Sequence, residues 1–144
     1  MPTGRLLLAS VDHLDALDLQ QRLTRMGHTV LAIATSSHEA LHLAAAVRPD
    51  VVVIDLRLPS SADGLQAGTY IWVTLGIPVI YVSAHFPEGT LQRLWPSCPT
   101  GLLGKGTAPE ALHQAIAESL ARQVPPGITP TTGGTRHPSP ARLL

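Results

Sequence analysis

The sequence predicts an α/β fold, a doubly wound five-stranded parallel sheet with helices on both faces. Three observations carry that reading. Short apolar runs alternate regularly with longer segments of helical period. The run Val51-Val52-Val53-Ile54 is β-branched throughout, as a strand covered on both faces must be. Right-handed crossovers then leave few arrangements for such an alternation other than a parallel sheet with a helix layer on each side.

Each element has its own local signal. Leu6-Leu7-Leu8-Ala9 reads as the first buried strand, and Asp12 to Met26 as an amphipathic helix with Leu14, Leu17, Leu19 and Leu23 inward, closed by Gly27. Thr29 to Ala34 is the second strand. Ser36 or Ser37 caps the next helix, because Glu39 follows in its first turn and Ala40, Leu41, Leu43, Ala44 and Val47 make an apolar face that Pro49 ends. The third strand, Val51 to Ile54, finishes on the carboxylate of Asp55. Leu58 to Gly64 reads as a turn-rich loop, Leu65 to Leu75 as a helix, and Pro78 to Val82 as a fourth strand ending at Ser83. Thr90 to Trp95 suggests a short helix. Leu102-Leu103 is a weak fifth strand ending near Lys105, and Pro109 to Arg122 is a last helix with Ala111, Leu112, Ala115, Ile116 and Leu120 inward. One domain is expected over residues 1–123. Residues 124–144, which carry five prolines and no apolar period, are expected to be a disordered tail, since ordering them would bury almost nothing.

Composition narrows the function. With 144 residues there is room for one ordinary domain. Ten basic and ten acidic side chains cancel, so no long-range field attracts nucleic acid or an anionic membrane, and 3% aromatic residues cannot build a base-stacking surface. No apolar run approaches the roughly 18 to 20 residues needed to span a bilayer, and the start MPTGRLLLASVDH does not read as a secretory signal. The single cysteine, Cys98, has no disulfide partner and no second soft ligand for zinc. A soluble, cytoplasmic protein is expected. His38 and His42 share a helix face but lack a third ligand at suitable spacing, so they read as solvated positions. Gly104-Lys105-Gly106-Thr107 lacks the glycine spacing of a phosphate loop.

In an open parallel sheet, ligands gather outside the carboxyl ends of the strands. The polar residues expected there are Ser10 and Asp12 after the first strand, Asp55 after the third, Ser83 after the fourth and Lys105 after the fifth. A carboxylate, a hydroxyl and an ammonium on one rim suit phosphoryl chemistry: Asp55 as nucleophile, Ser83 as donor to a phosphoryl oxygen, Lys105 as the compensating charge.

These residues, with RPDVVVIDLRLP, the Asp63-Gly64 pair, IPVIYVSAH, and GLLGK ahead of PEALHQAI, make the chain from about Arg5 to Arg122 resemble the response-regulator receiver family of two-component signalling. The resemblance implies a flavodoxin-like receiver fold with Asp55 as phospho-acceptor and also a metal ligand, Ser83 and Lys105 as phosphoryl contacts, and Pro59 and Gly64 in the loop that shapes the pocket. It implies Mg²⁺ as cofactor and a histidine kinase or histidine phosphotransfer protein as phosphodonor. A downstream protein target would dock on the face built from the helix at Thr90 to Trp95, the fifth strand and the helix at Pro109 to Arg122. It does not imply an enzyme.

The chain departs from the family pattern at three places. Where the family has two adjacent acidic residues after the first strand, this sequence reads Ser10 and Val11, and a hard cation wants anionic oxygen. Ser10 offers a neutral ligand; Asp12, one residue on, reads equally as a substitute ligand and as a helix cap. Leu102 replaces the usual aromatic residue three before the lysine, and Gly106 replaces the usual proline after it. The cation site is therefore expected to be weakened. A second reading follows, a degenerate receiver acting as a phosphorylation-independent interaction module. A small phosphatase with Asp55 as nucleophile ranks third, because no second acid or base is evident on the same rim.

Overall fold

A computed structural model describes residues 3–56, 61–83, 101–104 and 109–121. The chain runs β1 (Arg5–Ala9), α1 (His13–Arg25), β2 (Thr29–Ala34), α2 (Ser37–Val47), β3 (Val51–Asp55), α3 (Ser61–Tyr70) continuing into a π-helical turn (Ile71–Leu75), β4 (Val79–Ser83), β5 (Gly101–Gly104) and α4 (Pro109–Ala121). The five strands are parallel and lie in the order β2-β1-β3-β4-β5. The doubly wound sheet is therefore as the sequence predicts. The helix expected at Thr90 to Trp95 and the tail lie outside the described residues.

Alternation along the central strands builds two apolar layers. Leu7, Val52, Ile54 and Tyr81 face α2 and α3, where Ala40, Ala44, Leu65 and Ile71 close the layer. Leu6, Leu8, Val51, Val53 and Ile80 face the other way, onto Leu23 of α1 and Leu112, Ala115 and Ile116 of α4. The edge strand β2 is only half-buried, in keeping with its single neighbour, and a register shift between Leu6 and Leu7 interrupts its pairing with β1.

Helix ends follow their sequence signals. The Asp12 carboxylate accepts from the Asp15 amide (3.0 Å) and the Ser36 hydroxyl from the Glu39 amide (3.1 Å). Ser36, not Ser37, is thus the cap of α2. Gly27, just beyond α1, takes φ +97°, a conformation that costs a side-chain-bearing residue more. At the end of α2 the left-handed residue is Arg48, and the Arg5 guanidinium spans the frayed carbonyls, donating to Val47 O (3.1 Å) and Arg48 O (3.2 Å). Truncating Arg5→Ala removes a cation from a helix C-terminus and both bonds, and is expected to cost about 1 kcal/mol in urea unfolding.

Two expectations need correction. In α1 the inward stripe is Ala16 and Leu23, with Leu19 partly buried beside them, while Leu14 is 77% exposed and Leu17 38%. Positions 16, 19 and 23 share one side at 100° per residue, and the covering elements lie on that side. The third helix begins at Ser61 rather than Leu65, so Gly64 sits in the helix instead of the loop. Its glycine costs about 1 kcal/mol of helix propensity, less than is recovered by burying Leu65, Ala67 and Ile71 against the sheet.

Candidate functional site

The rim at the carboxyl ends of β1, β3 and β4 gathers the polar residues that are buried there. Asp55, the last residue of β3, is 1% exposed; Ser83 at the end of β4 and Ser10 just after β1 are also buried. Register sets their neighbourhood. Asp55 pairs with Val82, so Ser83 lies one residue beyond the partner of Asp55, and Ser83 itself pairs with Gly104, the last residue of β5. Lys105 follows Gly104 in the chain but lies outside the described residues, as does Pro59. Backbone bonds tie the rim together: Leu56 N–H donates to Val82 O (3.0 Å) and Ser10 N–H to Ala34 O (2.9 Å).

A carboxylate this deep keeps its charge only where donors and a cation compensate for lost water. Ser10 is one neighbour: its hydroxyl lies 3.5 Å from Asp55 Oδ2, a long contact, while it accepts from the Asp12 amide (3.2 Å). Gly64 is a second determinant. A Cβ at that position would stand 3.2 Å from Leu56 Cα and 3.4 Å from Asp55 O, so the missing side chain lets α3 lie directly on the backbone that carries Asp55. The resemblance alone places Gly64 near the pocket; the close approach of its Cα to Leu56 is visible only in three dimensions.

The other candidates are placed as follows. Asp12 is half-buried and its Oδ1 is engaged as the α1 cap; Val11 is exposed. His38 and His42 stand on α2, and no group of three or more His, Cys, Asp or Glu able to hold a metal ion occurs among the described residues.

The sequence matches the model of the response regulator receiver domain over residues 11–117. The chain belongs to the receiver family. It is 29% identical over 116 residues to the phyllosphere-induced regulator PhyR of Methylorubrum extorquens, a match covering 80% of this chain and 43% of PhyR. It superposes on the signal receiver domain of a modulated diguanylate cyclase from Desulfovibrio desulfuricans with a TM-score of 0.79 and 25% identity, covering 85% of this chain and 97% of that one. A third likeness is to the anti-anti-sigma factor PhyR of Bartonella quintana, at TM-score 0.71 and 28% identity over 84% of this chain and 50% of that one. The chain spans about half the length of the curated relatives it matches.

Receiver domains generally bind Mg²⁺ in an acidic pocket at this rim. This receiver's described residues fit the cation poorly. Asp55 is the one carboxylate at the rim's centre, Ser10 adds a neutral oxygen already bonded to its own loop, Val11 adds nothing, and Asp12 is held by the helix amide. No helix among the described residues is long and apolar enough to cross a membrane.

Proposed function

We propose that this receiver takes a phosphoryl group onto Asp55 from a histidine kinase or histidine phosphotransfer protein, works in the cytoplasm, and signals by protein contact rather than as an enzyme. The observation that carries the reading is the burial of Asp55 and Ser83 at the ends of adjacent strands, with Ser83 paired to Gly104, the residue that precedes Lys105 in the sequence. In the transfer an Asp55 oxygen forms the new P–O bond as the P–N bond of the phosphohistidine breaks, and the departing imidazole keeps the electron pair and takes up a proton. The product adds about −1.5 to −2 charges. Lys105 is assigned to offset that charge and the Ser83 hydroxyl to donate to a phosphoryl oxygen. Mg²⁺ is assigned no resident place, given the donor set at the rim.

The partner face is assigned to residues Thr90 to Trp95, β5 and α4 through Arg122. A solved relative described as an anti-anti-sigma factor supports an output read by another protein. The second reading, an interaction module that works unphosphorylated, is favoured by one observation: both family acidic positions are lost, and Asp12 serves the helix.

Intact-mass measurement separates the two. With Mg²⁺ and a small phosphodonor such as acetyl phosphate, the wild-type chain is expected to gain one HPO₃ group and Asp55→Asn none. Absence of any adduct on the wild type, with partner binding intact, establishes the second reading. Turnover of phosphate esters without a trapped adduct would indicate a phosphatase instead.

A further inference from the structure

On the amino-terminal side of the sheet, away from Asp55, two histidines meet. His28 follows Gly27 and leads into β2; it is 3% exposed. His113 lies on α4, 85 residues away in sequence, and the two rings approach edge to face with centroids 4.9 Å apart. The contact runs from His28 Nε2 to His113 Nδ1 at 2.8 Å, and the Gly4 amide donates to His28 Nδ1 at 3.1 Å.

The Gly4 bond determines the protons. An N–H donor facing Nδ1 requires a lone pair there, so neutral His28 carries its hydrogen on Nε2 and donates it to His113 Nδ1. Both acceptor nitrogens are then used. A proton added to His28 must sit on Nδ1, against the Gly4 N–H. A proton added to His113 Nδ1 faces the Nε2 hydrogen of His28, and relieving that clash by changing the His28 tautomer again sets two hydrogens against each other at Gly4. The pair therefore closes in one protonation state, with both rings neutral.

We propose that the His28–His113 pair is a pH-sensitive latch that fastens α4 to the corner formed by the start of β1 and the α1–β2 turn, and that acidification releases it. The corner is a junction of several elements: His28 N–H donates to Leu23 O of α1 (3.1 Å), Thr29 N–H to Gly4 O (2.9 Å), and Leu120 of α4 closes over Gly4. The charged groups around it are otherwise occupied or solvated. Arg5 lies on the α2 carbonyls, Asp50 Oδ2 accepts from the Arg5 amide (2.8 Å), and Arg22 pairs with Asp18 (3.0 Å). Arg25 on α1 and Glu110 and Glu118 on α4 are exposed. None of these forms an ion pair with either imidazole among the described residues.

Burial, and secondarily the neighbouring His113, hold His28 below the ordinary imidazole value of 6.5. The sign follows: below that pH the open state binds a proton that the closed state refuses, so closure weakens as pH falls until the depressed value is passed. Because α4 is part of the face assigned above to partners, release would alter that face. The latch itself does not depend on whether Asp55 is phosphorylated.

Hydrogen exchange of the full chain, corrected for intrinsic chemistry, tests the latch at pH 7.5 and 5.5. Protection across residues 110–121 is expected to fall by up to about tenfold per pH unit below 6.5 for each proton taken up, and more than protection in β3. The double variant His28→Asn/His113→Leu keeps an acceptor for Gly4 and cannot titrate, so its α4 protection is expected to lose this pH dependence. An unchanged pH dependence in that variant overturns the proposal. If the variant does not fold, ¹⁵N imidazole spectra of the wild type decide. A bare His28 Nδ1 at neutral pH, titrating below 6.5 together with the α4 amides, supports the latch; a protonated Nδ1 or a midpoint at or above 6.5 overturns it.

Discussion

Gly68→Ala is expected to destabilise the receiver by about 3 kcal/mol, although the position is in the body of a helix, where exchanging glycine for alanine ordinarily gains about 1 kcal/mol. The reversal of sign comes from Tyr81. A methyl on Gly68 would stand 2.6 Å from Tyr81 Cζ and 2.8 Å from Cε1 and would overlap the hydroxyl. Tyr81 is fully buried on β4, in the layer between the sheet and α3, so the ring has nowhere to retreat. The damage should travel, because β4 also carries Ser83 and pairs with the strand that ends on Asp55. A double-mutant cycle in urea measures this. In a Tyr81→Val background the same alanine should be neutral or stabilising, giving a coupling of about 2 kcal/mol or more. Additivity of the two substitutions would show that the contact does not control the site.

Restoring the acidic pair should have a comparably large effect on metal binding. The wild-type chain is expected to melt at the same temperature with and without 10 mM Mg²⁺. Ser10→Asp/Val11→Asp places two further carboxylates beside Asp55, which lowers stability in the absence of metal through like-charge repulsion and makes stability metal-dependent. If the rebuilt site binds with a Kd of about 1 mM, 10 mM Mg²⁺ returns about 1.4 kcal/mol by mass action. Thermal melts with and without the cation, and with Ca²⁺ as a control, provide the readout. A wild-type protein already stabilised by millimolar Mg²⁺ would overturn this, showing either that Asp55, Ser10 and solvent suffice or that the cap on α1 gives way to the metal.

The strands were legible because burial on both faces demands unbroken apolar runs, and such runs are local. β2 occupies Thr29–Ala34 as read, and β3 ends on Asp55 as read. The rim residues were legible for the same reason, since once strand ends are known the parallel sheet dictates which polar side chains share an edge. Ser83 and Asp55 lie at neighbouring strand ends, and the Ser10 hydroxyl is 3.5 Å from Asp55 Oδ2. Lys105 follows the described end of β5 in the sequence, and the role proposed for it rests on the family resemblance.

Where the reading failed, the deciding contact was long-range. Turn-forming residues before Leu65 argued for a loop, but helix α3 extends back to Ser61 because its backbone at Gly64 packs on Leu56. The inward side of α1 could not be chosen among leucines on more than one side of a helix without knowing which side α4 and the sheet would cover.

Pattern and composition by themselves determined the alternation of strands and helices and the presence of a carboxylate at the end of β3, since each depends on residues near one another in the chain. Tertiary structure alone decided that Asp12 serves its helix, that Gly64 and Gly68 face close-lying neighbouring elements, and that the rings of His28 and His113 meet. Those outcomes depend on distances between segments, which no spacing along one segment encodes.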